Sequence, residues 1–123
     1  MRLSEQLRRS HTILRVEGAL KVGETADAFS ARVDSIIGKS QGALVLDLEA
    51  LEYIDSTGVG ALVGALKKYQ AVGRQILLSS PQRRVLAGLR ITHLDTVFPI
   101  HPTLGEALAS LSDMGEETTD GGH

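Results

Sequence analysis

A chain of 123 residues with 42% hydrophobic content is long enough to bury one core without staples, and it has no cysteine, which removes disulfides and thiolate metal sites. A net charge of −2 and 3% aromatic residues exclude a strong electrostatic pull on nucleic acid or anionic membrane and leave few platforms for stacking bases. The apolar runs fall far short of the roughly 20 residues that span a bilayer, and residues 1–6 lack a signal peptide's apolar stretch, so the expected address is the cytoplasm and the expected partners are proteins or small molecules.

Residues 2–8 alternate weakly, with Leu3 and Leu7 on one side, and 12–17 reads as a strand, leaving Arg9-Ser10-His11 as a hairpin turn. After Gly18-Ala19-Leu20, Thr25 can cap a helix with Phe29, Val33, Ile36 and Ile37 on one face, stopped by Gly38 near Lys39. Residues 43–48 form a continuous apolar run, the pattern of a central strand covered on both faces. The next helix opens near Ser56 or Thr57, sets Val59, Leu62, Val63, Leu66 and Tyr69 or Gln70 at core spacing, and ends before Gly73. Residues 75–79 are a fourth strand, after which Ser80 caps and Pro81 opens a helix carrying Val85, Leu86 and Leu89. Residues 97–100 suit a short edge strand, where Pro99 is tolerated. Thr103-Leu104-Gly105-Glu106 has capping-box spacing and starts a helix with Leu104, Ala107, Leu108 and Leu111. The stretch 112–123 is acidic, small and polar, and disorder is expected there. Alternating strands and helices predict one α/β domain over 1–111, with a four- to five-stranded mixed sheet and about four helices.

Several catalytic signatures fail on spacing. Gly38-Lys39-Ser40 lacks the earlier glycine of a phosphate loop, because Val33 stands there. Gly58-Val59-Gly60 lacks the third glycine of a dinucleotide fingerprint, which would fall at Val63. Asp55-Ser56-Thr57-Gly58 has one residue too many for an aspartic protease and no second copy. The histidines at 11, 93, 101 and 123 are isolated from one another, and a triad of Ser56 with His93 or His101 has only paper support. The doublets Lys67-Lys68 and Arg83-Arg84 read as solvated helix faces. No catalytic residue, cofactor or metal set is expected, and the chain reads as a non-enzyme.

What remains is the junction at Asp55. A hydroxyl at a helix start meets unpaired N–H groups and positive dipole, so Ser56 or Thr57 either caps the helix or accepts a phosphoryl group. Gly58, Gly60 and Gly64 lie in the first turns of the same helix, and each interior glycine costs roughly 1 kcal/mol relative to alanine. Close internal packing of backbone on backbone would offset that cost, and so would close approach by a partner.

The stretch Leu46-Asp47-Leu48-Glu49-Ala50-Leu51-Glu52-Tyr53-Ile54-Asp55-Ser56-Thr57-Gly58-Val59-Gly60-Ala61-Leu62 resembles the signature of STAS domains, specifically bacterial anti-sigma factor antagonists. Val16-Glu17-Gly18-Ala19-Leu20, 73–78 and 89–98 are similar to further family segments, so the resemblance covers about 10–111. It implies a partner-switching protein that binds an anti-sigma factor, itself a serine kinase, and so releases a sigma factor for transcription. It also implies that Ser56 is the phosphoacceptor, that ATP and Mg²⁺ belong to the kinase, and that a phosphatase resets phospho-Ser56. The partner-binding residues it implies are Asp55, Ser56, Thr57, Gly58, Gly60, Gly64 and Lys21, where Lys21 replaces an aspartate usual in the family. The isolated domain is expected to be a monomer that neither binds nucleic acid nor inserts into membranes. Two alternatives stand beside this reading. One is an unphosphorylated STAS scaffold or transporter-associated module, and the other a small nucleotide-binding domain using the Gly58/Gly60 helix start.

Overall fold

The computed structural model describes residues 1–111, so the expected disorder of 112–123 lies outside the described residues. Strands β1 (Arg2–Arg8) and β2 (His11–Leu20) form an antiparallel hairpin. Its connection is Arg9 and Ser10, with Arg9 at the positive φ of 55° that tight hairpin turns favour. His11 is not in the turn but in β2, buried, with Nδ1 accepting the Ala43 N–H at 2.8 Å.

Helix α1 (Glu24–Lys39) carries Gly38 inside its last turn and buries Ala26, Phe29, Val33 and Ile36. Thr25 does not cap it. Gly23 precedes the helix at φ 99°, which only glycine adopts cheaply, while the Thr25 hydroxyl turns back to Lys21, accepting its N–H at 2.9 Å and donating to its carbonyl at 2.8 Å.

Strand β3 (Leu44–Asp47) is wholly buried, as its apolar run predicts. It is followed by β4 (Leu51–Ile54), helix α2 (Ser56–Ala71), β5 (Ile76–Ser79), α3 (Arg83–Ile91), a single 3₁₀ turn (Leu94–Thr96), β6 (Ile100–His101) and α4 (Leu104–Ala109). The sheet order is β1-β2-β3-β5-β6, with β4 paired to the far end of β2; every pairing after the first hairpin is parallel. The sheet is therefore mixed and has six strands, one more than the upper expectation. The addition is β4, where Leu51 is the one buried residue, so no apolar period betrays it.

Alternation along the strands sends Leu14, Val16, Leu44, Leu46, Ile76 and Leu78 to a face covered by α1, α2 and α3. Ile13, Val45 and Leu77 point the other way, against Ala107 and Leu111. Each such side chain contributes about 1.5–3 kcal/mol by leaving water, which ties α2 to the sheet through Leu62, Leu66 and Tyr69 far more strongly than its glycine-rich sequence could. Gln70 is exposed, so Tyr69 is the core residue of that pair.

Two later expectations shift. Ser80 takes φ 57° and donates its N–H to the His101 carbonyl instead of capping, and Pro81 lies ahead of α3, whose N-cap is Gln82. The Gln82 amide instead donates to the Glu49 carbonyl at 2.8 Å. At 97–100, Phe98 turns into the core and the strand begins at Ile100. The Thr103 cap forms as its spacing predicts, the hydroxyl accepting the Glu106 N–H at 3.1 Å, but the Glu106 carboxylate accepts from that same hydroxyl and not from the Thr103 N–H, so the box is half made.

Candidate functional site

The junction of β4 and α2 is built around Asp55. Its Oδ1 accepts the Gly58 N–H at 2.8 Å, so Asp55 is the N-cap of α2, and its Oδ2 accepts the Val22 N–H at 3.0 Å from the β2–α1 loop. The Asp55 N–H donates to the Leu20 carbonyl at 3.3 Å, and its own carbonyl accepts the Val59 N–H at 2.9 Å. The Val22 donor, with help from those of Gly58 and Thr57, holds the Asp55 carboxyl below the ordinary aspartate range. One ionised side chain thus stitches the β2–α1 loop to the start of α2.

That arrangement settles the ambiguity over the hydroxyls. Because Asp55 takes the cap, neither Ser56 nor Thr57 is needed for it, and both are exposed. Neither hydroxyl makes a hydrogen bond among the described residues. Among the described residues no base engages Ser56 either: His11 accepts from Ala43, and neither His93 nor His101 hydrogen-bonds to Ser56. The Ser56 hydroxyl is thus exposed and, among the described residues, unpaired.

The three glycines divide. A Cβ on Gly58 would sit 2.2 Å from the Leu20 carbonyl oxygen and 2.8 Å from Ile54 Cγ1, so this buried residue is glycine for internal packing. A Cβ on Gly60 or Gly64 would meet nothing within 4 Å. Their cost finds no packing offset among the described residues.

Lys21 lies one residue from both loop contacts of Asp55. Its backbone is fixed by Thr25 and by the Ala26 N–H, while its exposed side chain makes no ion pair among the described residues. The sequence reading missed two apolar neighbours: Val22, 66% exposed in the same loop, and Tyr53, 48% exposed on β4. Val22 belongs to no helical or strand period, which was the available signal.

A second polar cluster occupies the carboxyl ends of the central strands. There Arg15 pairs with Glu17 at 3.1 Å, Asp47 at 3.2 Å and Glu49 at 3.3 Å, beside a cleft of about 550 Å³. Its cation is shared among three carboxylates. Among the described residues no three histidine, aspartate or glutamate side chains gather to hold a metal, and no helix is long and apolar enough to cross a membrane. A free nucleotide phosphate at the α2 start would meet the ionised Asp55 carboxylate already seated on the Gly58 N–H.

Residues 3–107 match the STAS domain family. The chain belongs to it. Within this STAS domain, an 86-residue stretch, 69% of the chain, is 38% identical to a Thermotoga neapolitana protein provisionally named an anti-sigma factor antagonist, of which it covers 76%. The crystal structure of a Thermotoga maritima protein with the same provisional name superposes with a TM-score of 0.84 at 29% identity, over 89% of this chain and 94% of that one. A sulfate transporter family protein from Wolinella succinogenes shares the fold, with a TM-score of 0.77 at 21% identity over 90% and 92% of the two chains. The STAS fold and the antagonist kinship agree with the resemblance drawn from the motif around Ser56.

Proposed function

We propose that this STAS domain is an anti-sigma factor antagonist that docks on an anti-sigma factor kinase through the β2–α1 loop and the outer side of α2, freeing a sigma factor in the cytoplasm. Phosphorylation of Ser56 turns it off. The observation that carries this reading is the Ser56 hydroxyl, exposed and released from capping by Asp55 at the rim of an outer face with two unexplained glycines. The kinase, holding ATP and Mg²⁺, passes the γ-phosphoryl group to Ser56 Oγ; the hydroxyl proton goes to the kinase's base, and ADP leaves. The product adds about −1.5 to −2 charges beside Asp55. Against a closely docked partner that charge meets desolvation and repulsion, and a loss of about 3 kcal/mol weakens binding more than a hundredfold. A phosphatase that hydrolyses phospho-Ser56 restores the binding form.

The test pairs the protein with candidate anti-sigma kinases from the same genome, adds ATP, and maps the modification by mass spectrometry. Phosphate on Ser56, with Ser56→Asp binding at least about tenfold weaker than Ser56→Ala, is expected. No phosphate on Ser56 and equal binding by the two variants would overturn the switch. The likeness to a transporter-family domain supports a second reading, an unphosphorylated docking module. Co-purification of membrane transport subunits in place of a sigma regulator would favour that one.

A further inference from the structure

The position of Lys21 bears on how the switch is tuned, provided that Ser56 is the phosphoacceptor, the reading on which this inference rests. We propose that Lys21 receives the phosphate of phospho-Ser56 within the same chain, so that the modified state is a locally paired one and not a bare dianion.

Three observations lead there. First, the loop bearing Lys21 is pinned to the residue before Ser56 from both sides, through the Asp55 N–H on the Leu20 carbonyl and the Val22 N–H on the Asp55 carboxylate. The near contact of Gly58 with the Leu20 carbonyl fixes the spacing again. Lys21 is thus held one residue from each link, on a loop that Thr25 and Ala26 close from its other end.

Second, the local charge is one-sided. The segments joined at Asp55 are the loop 21–23, the first turn of α1, β4 and the first turn of α2. They carry Glu24, Asp27, Glu52 and Asp55, and Lys21 is the one cation among them. Helix α3, packed behind β4, carries Arg83, Arg84 and Arg90. Third, Lys21 is exposed and without an ion pair among the described residues, whereas Lys39 and Lys68 are paired with Glu5 and Asp34. Asp55 does not compete for it, since Val22 and Gly58 occupy its two oxygens. An ammonium on a flexible stem suits a phosphate as a point charge.

The consequence is that phosphorylation repels the partner by less than its formal charge, and that removing Lys21 sharpens the switch. To test the pairing apart from any kinase, phosphoserine is installed at position 56 during translation, in the wild-type chain and in Lys21→Ala and Lys21→Arg. The second ionisation of the phosphate is then followed by ³¹P NMR. Wild type and Lys21→Arg are expected to titrate about 0.5–1 pH unit below Lys21→Ala, with the gap narrowing in 1 M salt. The α3 arginines are constant across the series, so they cannot produce the difference. Coincident curves in all three proteins would overturn the pairing and leave the switch untouched, whereas a kinase reaction that leaves Ser56 bare overturns the switch itself.

Discussion

The inner and outer sides of α2 obey different rules although they share one helix. Inside, Gly58, Leu62, Leu66 and Tyr69 are fixed by what they touch, down to a carbonyl oxygen that leaves no room for a methyl group. Outside, Ser56, Gly60 and Gly64 touch nothing that explains them. The same residue type, glycine, is therefore a packing requirement at one position and an unexplained cost two residues later. Gly58 differs from Gly60 in its cap bond to Asp55, but what forbids a side chain there is the Leu20 carbonyl packed against it.

The sharpest way to break this contrast is Gly58→Ala, which forces a methyl group onto the Leu20 carbonyl and should cost about 3 kcal/mol of stability in urea unfolding. A loss below about 0.5 kcal/mol would mean that the inner side tolerates what the outer side does. Asp55→Asn should lower the melting temperature at neutral pH, by weakening the charge-assisted bonds from Val22 and Gly58. The sign with pH is set by a carboxyl held low in the fold. Its stabilisation is present above the ordinary aspartate range and disappears as pH falls through the still lower folded value. The gap between wild type and Asp55→Asn should thus close on acidification, as melting curves from pH 7 to pH 2 would show.

Gly60→Ala and Gly64→Ala should act in reverse, each stabilising the isolated domain by about 1 kcal/mol, because an open helix position prefers alanine. In a pull-down or calorimetric titration with the anti-sigma partner, the same changes should weaken binding about tenfold. Improved stability with unchanged affinity would remove the outer glycines from the interface. Ser56→Ala should be smallest in stability, within about 0.5 kcal/mol, since its hydroxyl bonds to nothing among the described residues.

Period and punctuation in the sequence determined much of this protein: the buried β3, the amphipathic faces of α1 and α2, the Thr103 cap of α4, and the junction at Asp55 as the feature to explain. Those features depend on neighbours within one or two turns, which a linear pattern records. Tertiary structure alone decided that the Asp55 carboxylate also holds the β2–α1 loop, that 51–54 is a strand, and that Gly58 differs from Gly60. Each of these turns on a group at or just past the end of β2, far back along the chain: the Val22 N–H on Asp55, the pairing of Leu20 with Ile54, and the Leu20 carbonyl beneath Gly58. Local spacing carries no trace of a contact formed only when the chain folds back upon itself.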